Sequence, residues 1–343
     1  MKKMNAVVYT KYGPPNVLQH REVEKPTPKE NELLIRIRAT PVSYGDLIAR
    51  NFKAVTPRTF NMPALFWLLA RLEFGISQPK RQILGSEFAG DVAVVGEQVT
   101  QFKAGDAVFG YLGSRFGAYA DYVCLAEDDL VAHMPSNMCY EEATAVSYGA
   151  MTAMNLLKKT SIEPGQKVLI NGASGGIGSA AVQLAKLAGA EVTGVCSGPK
   201  MESVRALGAD HVIDYTREDF TQKGEQYDLV FDILGKSSFG RVKGSLTENG
   251  RYLRASFKMR ELLQMVYTKL FSNKKVICAL SLESREDLLT VKELVEAGHL
   301  KTIIDRCFPL AEAAEAHRYV EEGQARGKVI LKMAIQNLIE REQ

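Results

Sequence analysis

Short apolar runs broken by Gly, Pro and Asp dominate the first 125 residues. NAVVYT, NELLIRIRAT, ILGSEFAGDVAVVG, GDAVFGYL and GAYADYVCL all carry β-branched or aromatic residues between turn formers, which predicts strands and a compact, mostly β domain. Residues 51–82 break that pattern. Leu65, Leu68, Leu69 and Leu72 recur at helical spacing, consistent with a helix packed on the β domain, a lid, or a membrane-surface contact. From about residue 126 the period alternates between helix and strand. EEATAVSYGAMTAMNLLKKT reads as a helix and KVLI as a strand, followed by a glycine loop and the helix SAAVQLAKLAG. Then come strand EVTGVC, helix KMESVRALG, strands HVIDY, DLVFDIL and RYLRAS, a helical pattern over 258–272, strand KVICALSL (275–282) and helix REDLLTVKELVEAG. Such alternation predicts an α/β fold with a doubly wound parallel sheet. The tail returns to strand, helix and strand in TIIDRCFPL, AEAAEAHRYVEEG and ARGKVILKM. The expected organisation is 1–125, a β domain for substrate; 126–300, a dinucleotide-binding domain; and 301–343, a return to the first.

The stretch from Lys167 to Lys186 carries the most specific chemistry. A buried strand runs into small residues, Gly172-Ala173-Ser174-Gly175-Gly176-Ile177-Gly178, and leaves as a helix. Backbone N–H groups at such a helix start face an anion, and the helix dipole favours negative charge there, so the loop predicts a dinucleotide pyrophosphate site. In a site built for NAD, a carboxylate follows the second strand and accepts from the ribose 2′-hydroxyl. Here that strand ends Val195-Cys196-Ser197-Gly198-Pro199-Lys200, with no acid. Ser197 and Lys200 suit a 2′-phosphate, which predicts NADPH. Tyr215, at the end of the third strand, is placed beside the adenosine phosphate.

Composition narrows the field without redirecting it. The 343 residues are 46% hydrophobic and 24% charged, as in ordinary globular proteins, with room for two domains. A net charge of +3, with Lys and Arg scattered, gives no support for a nucleic-acid partner. The most apolar window, Met62 to Phe74, holds Arg71 and Glu73 and is shorter than the ~20 residues a bilayer span needs. The amino terminus lacks the apolar run of a signal peptide. Five cysteines, with no C-x-x-C pair, argue against a disulfide framework or a cysteine zinc lobe. The expected setting is cytoplasmic. The loop also fits the glycine pattern of short-chain dehydrogenases, but it begins 170 residues in, and none of the tyrosines has a lysine four residues on.

The whole chain from Met4 to about Met333 resembles the medium-chain dehydrogenase/reductase superfamily, specifically its zinc-independent quinone oxidoreductase-like branch. The resemblance is carried by LGSEFAGDVAVVGEQVTQFKAGDAVFG, YGAMTA, NGASGGIGSAAVQLAK, LGADHVIDY and GKVILKM. It implies a GroES-like barrel beside a Rossmann domain, Thr152 near the cofactor, and a homodimer through the edge strand 275–282. Zinc members place a Cys where Ser43 stands and a His where Ser86 stands. Hydroxyls are poor zinc ligands, so no metal is expected, and Glu87 is expected to be structural, paired with an arginine or backbone donors. Without a Lewis acid, the chemistry implied is hydride transfer from NADPH to a quinone or an α,β-unsaturated carbonyl, a small-molecule electrophile. Quinone oxidoreductases often carry Asn at the position of Ser43 and Tyr near Ile48, and neither is kept. Tyr44 and Ser43 are the candidate catalytic residues, Tyr44 as hydrogen-bond donor or cleft wall. His133, His211 and His317 are read as structural. The alternatives are a non-catalytic NADPH-binding sensor or binding module and, less in keeping with the ligand inventory, an alcohol dehydrogenase.

Overall fold

The computed structural model describes residues 2–334. The first part holds β1 (Lys3–Val8), β2 (Gln19–Glu24), β3 (Glu32–Pro41), β4 (Glu87–Val95), β5 (Ala107–Tyr111), β6 (Tyr122–Ala126) and β7 (Val131–His133), with α1 (Tyr44–Arg50) and α2 (Ala64–Phe74) between β3 and β4. After α3 (Tyr140–Leu157) come β8 (Lys167–Asn171), α4 (Gly176–Leu187), β9 (Glu191–Cys196), α5 (Met201–Ala206), β10 (His211–Asp214) and β11 (Tyr227–Asp232). Then follow α6 (Phe239–Val242), β12 (Leu246–Arg254), α7 (Met259–Phe271), β13 (Lys275–Cys278) and α8 (Arg285–Glu296). The described chain closes with β14 (Ile304–Pro309), α9 (Ala313–Glu321) and β15 (Lys328–Lys332).

β3 is the hub of the first unit. Its Leu33, Ile35 and Ile37 point into the barrel core, and it pairs antiparallel with β4, β6 and β15. The seven-stranded sheet, ordered β14-β15-β3-β4-β5-β7 with β6 also paired to β3, includes the carboxy-terminal strands, and β7 lies beyond residue 125. β1 and β2 form a separate ribbon. The other sheet is wholly parallel, in the order β10-β9-β8-β11-β12-β13. Counted within the sheet, this is 3-2-1-4-5-6, the doubly wound arrangement whose strand order reverses between β8 and β11. Ligands bind above the carboxyl ends at that reversal. Asn171 ends β8 and donates 3.0 Å to Asp232 at the end of β11. Behind them, buried Arg254 donates to the Gly235 and Ser237 carbonyls and to the Tyr252 hydroxyl, holding the 233–237 turn against the sheet.

Two sequence expectations change. The strand predicted over 275–282 ends at Cys278, because Asn155 of α3 draws the next residues away by donating to Ser281 Oγ and the Leu282 carbonyl. The helix within 51–82 forms, but none of its residues is buried.

His317 is structural. Its ring is buried on α9, its Nδ1 meets Arg50 Nη1 at 2.9 Å, and its Nε2 meets the Tyr119 hydroxyl at 3.0 Å. Burial first, and the Arg50 charge second, push its pKa from 6.5 to about 3. A depressed folded pKa contributes stability above 6.5 that is lost as pH falls toward 3, at most about 5 kcal/mol. Asp46, raised to about 6 mainly by burial, acts in the opposite sense and offsets part of that loss. His317→Gln is therefore expected to flatten the fall in stability between pH 6.5 and 4 by roughly 3 kcal/mol. Thermal melts across that range check it; an unchanged slope contradicts it.

Candidate active site

The glycine loop closes β8 onto α4. Gly172 lies at φ +97°, which a side chain rarely adopts, and the amides of Gly172 and Ala173 both donate to the Val195 carbonyl of β9. Gly175 precedes α4 without a side-chain cap, and the first turn holds no acid. The amides of Gly176, Ile177 and Gly178 thus open the helix with no cap competing for them. A Cβ at Gly178 would stand 2.1 Å from the Gly172 carbonyl oxygen, and one at Gly149 of α3 would stand 2.5 Å from that of Gly176. The loop is therefore packed against backbone on two sides. Gly178→Ala is expected to weaken dinucleotide binding at least about tenfold, since only backbone movement relieves the clash; cofactor fluorescence titration measures it.

Lys328, at the start of β15, brings a cation to this loop. Its Nζ lies 2.9 Å from where a Cβ at Gly176 would be, and 3.9 Å from Glu87 Oε1. Glu87 is wholly buried, and its Oε2 accepts from Ser147 Oγ at 2.9 Å and the Tyr148 amide at 3.0 Å. Its Oε1 has no hydrogen-bond partner, leaving Lys328 as its counter-charge. Backbone donation matches the expectation for Glu87; the cation is a lysine rather than an arginine. Nothing in the spacing of GKVILKM marked Lys328, because only the return of β15 to β3 carries it to the Rossmann loop.

At the adenosine end, Ser197 leads into the short turn Gly198–Lys200, and Lys200 makes no ion pair among the described residues. Tyr215 is exposed, with its amide bonded to the Cys196 carbonyl, so it stands beside that turn. The sequence placed no acid here, yet the fold brings one from the next strand. Asp214 of β10 packs under Gly198 and donors from Thr216 hold its carboxyl below the usual carboxylate range. Arg217 lies 3.8 Å from Asp214 and offsets its charge.

Between the two units, Ser43 caps α1. Its hydroxyl donates to Asp46 Oδ2 at 2.7 Å and accepts from the Asp46 amide, while standing 3.5 Å from Ser86 Oγ. The two serines are thus neighbours, but Ser43 is engaged in the helix cap. Tyr44 follows, 67% exposed at the rim. On α3, Thr152 Oγ1 donates 2.9 Å to Glu283 Oε1, so it is bonded across the fold rather than to its own helix. Tyr148 stacks on Tyr111 with ring centroids 4.9 Å apart. Burial raises the pKa of both phenols, and the Glu283 charge adds to it. Sequence reading missed Tyr111, Tyr148 and Glu283, which come from three separate segments.

Two family models match the chain: an alcohol dehydrogenase GroES-like domain over residues 29–136 and a zinc-binding dehydrogenase over 207–331. The chloroplastic quinone-oxidoreductase QR1 of Triphysaria versicolor is 32% identical over 345 residues, spanning 96% of this chain and 99% of its own. The chain belongs to the medium-chain dehydrogenase/reductase superfamily. Within it the chain is quinone oxidoreductase-like. The solved quinone oxidoreductase from Coxiella burnetii superposes with a TM-score of 0.82 at 27% identity, covering 97% of this chain and 100% of that one. The chloroplastic NADPH-dependent alkenal/one oxidoreductase of Arabidopsis thaliana is 29% identical over 96% of this chain and 80% of its own. The superfamily member described here is therefore an oxidoreductase that uses a nicotinamide cofactor, and its uncapped α4 terminus, crowded glycines and Lys328 fit the cofactor's pyrophosphate. The donor set does not fit a catalytic zinc: Ser43 and Ser86 offer hydroxyls, and that of Ser43 is already bonded to Asp46.

Proposed function

We propose that the chain is an NADPH-dependent, zinc-independent reductase of quinones or α,β-unsaturated carbonyls. The observation that carries this reading is the pair of hydroxyls, Ser43 and Ser86, 3.5 Å apart where zinc members place ligands, with the Thr152–Glu283 bond fixing α3 beside Tyr148. When bound, NADPH supplies a hydride. The amides of Gly176, Ile177 and Gly178, with Lys328, hold its pyrophosphate; Ala173, Ser174 and Gly175 shape the loop. Ser197 and Lys200 take the 2′-phosphate, and Tyr215 flanks the adenosine. As hydride reaches the acceptor's β-carbon, or the quinone, charge gathers on the carbonyl oxygen, and a positioned donor stabilises it. Tyr148 fills that role: burial raises its pKa and keeps it protonated, Thr152 is fixed beside it by its bond to Glu283, and the proton it gives up is replaced from solvent. Ser43 holds the α1 wall, and Tyr44 borders the acceptor at the rim. The free edge of β13 pairs with its copy in a homodimer, which sedimentation showing only monomer refutes.

A second reading, an NADPH-binding sensor without turnover, is favoured by one observation: Ser43, where the family resemblance implies an asparagine, is committed to the helix cap. Steady-state oxidation of NADPH and NADH against a panel of quinones and enals separates the two. Turnover with NADPH preferred supports the reductase; tight NADPH binding with every acceptor inert supports the sensor.

A further inference from the structure

α2 is amphipathic in reverse. Its Trp67 donates 2.8 Å to the Val55 carbonyl, and its Arg71 bonds the Phe52 and Ile76 carbonyls, so the polar groups face the protein. Leu65, Leu68, Leu69 and Leu72, spaced i, i+3, i+4, i+7, face outward and are exposed. α7 repeats the pattern. Met265 and Thr268 turn inward, while Leu263, Val266, Tyr267 and Leu270 form an outer stripe that ends at Phe271, 72% exposed. The two helices hold more than half of the exposed large apolar side chains among the described residues. They hang on one loop: Trp67 binds Val55, and Lys258 at the start of α7 donates to the Arg58 carbonyl three residues on.

The segments bearing these stripes also hold the chain's positive excess. Residues 51–82 contain five basic residues and one acid, and residues 258–275 the same ratio, so each is formally +4. Because the whole chain is +3, the remainder is −5. Ten of the chain's 43 lysines and arginines, with only two acids, thus lie in the segments that carry the two exposed apolar faces. An apolar stripe flanked by basic residues binds an anionic lipid surface by burying its leucines at headgroup depth while the cations meet the lipid charge. No helix among the described residues is long and apolar enough to cross a membrane, so the contact is interfacial. A second copy meeting through the same faces would set like charge against like.

We propose that α2 and α7 together dock the protein on an anionic bilayer surface. This holds whether or not the redox reading does. The test is co-sedimentation of the full chain with vesicles of phosphatidylcholine alone or with about a third phosphatidylserine, at low and high salt. Two variants accompany it: Leu68→Glu/Leu263→Glu, which charges both stripes, and Lys80→Glu/Lys269→Glu, which removes the attraction. Expected are binding to the anionic vesicles only, at least about tenfold weaker at high salt and in either variant, with melting temperature and NADPH binding unchanged. Failure to sediment with anionic vesicles overturns the proposal, as does equal binding to neutral ones. A dimer that dissociates in the leucine variant without any lipid binding assigns the faces to a second copy instead.

Discussion

Lys328→Met is expected to raise the dissociation constant for NADPH by roughly 10- to 100-fold, the ~1.5–3 kcal/mol carried by a charge-assisted bond to phosphate. Two effects add. The cation beside Gly176 disappears, and Glu87, wholly buried with Oε1 unbonded, is left with no counter-charge. Removing one partner of a buried ion pair destabilises strongly, so the melting temperature should fall as well. Lys328→Arg should restore most of the binding. Glu87→Gln combined with Lys328→Met should recover stability but not affinity, which separates the two effects. Cofactor titration followed by fluorescence reads the first and thermal melts the second; an unchanged dissociation constant would remove Lys328 from the cofactor site.

Tyr148→Phe is expected to lower kcat for enone reduction by about 100-fold or more, the range for loss of a positioned proton donor, with the KM for NADPH little changed. Because Tyr111 stacks on the ring rather than on the hydroxyl, phenylalanine keeps the packing. Thr152→Val and Glu283→Gln act through Tyr148 and should give smaller losses, together with a shift in the pH profile that a packing defect would not cause. Equal kcat in wild type and Tyr148→Phe would return the donor role to Tyr44 or to solvent.

What was legible in the chain was local. The run from Lys167 to Lys186 reads as strand, loop and helix because each step is encoded in adjacent residues, and the structure places β8 and α4 there. The helix over 258–272 was likewise visible in its period. β2 was not, because Gln19–Glu24 lies on the surface and its sequence, QHREVE, has almost no apolar alternation. Helical spacing in 65–72 revealed a helix but not which side faces inward; that depends on Trp67 and Arg71 finding carbonyls in the preceding loop. The site was legible where one segment builds it and hidden where distant segments meet. Lys328 beside Gly176, Glu283 beside Thr152 and Asp214 beneath Gly198 all arise from sheet topology, which no spacing in the sequence records.

The most direct measurement is a single turnover of chelator-treated protein, its metal content checked, with NADPH loss followed by absorbance after mixing with a quinone or an enal. Decay of the bound NADPH within one cycle, at a rate unaffected by the chelator, is the expected result. No decay with any acceptor, or decay only after zinc is restored, would contradict a zinc-independent NADPH reductase.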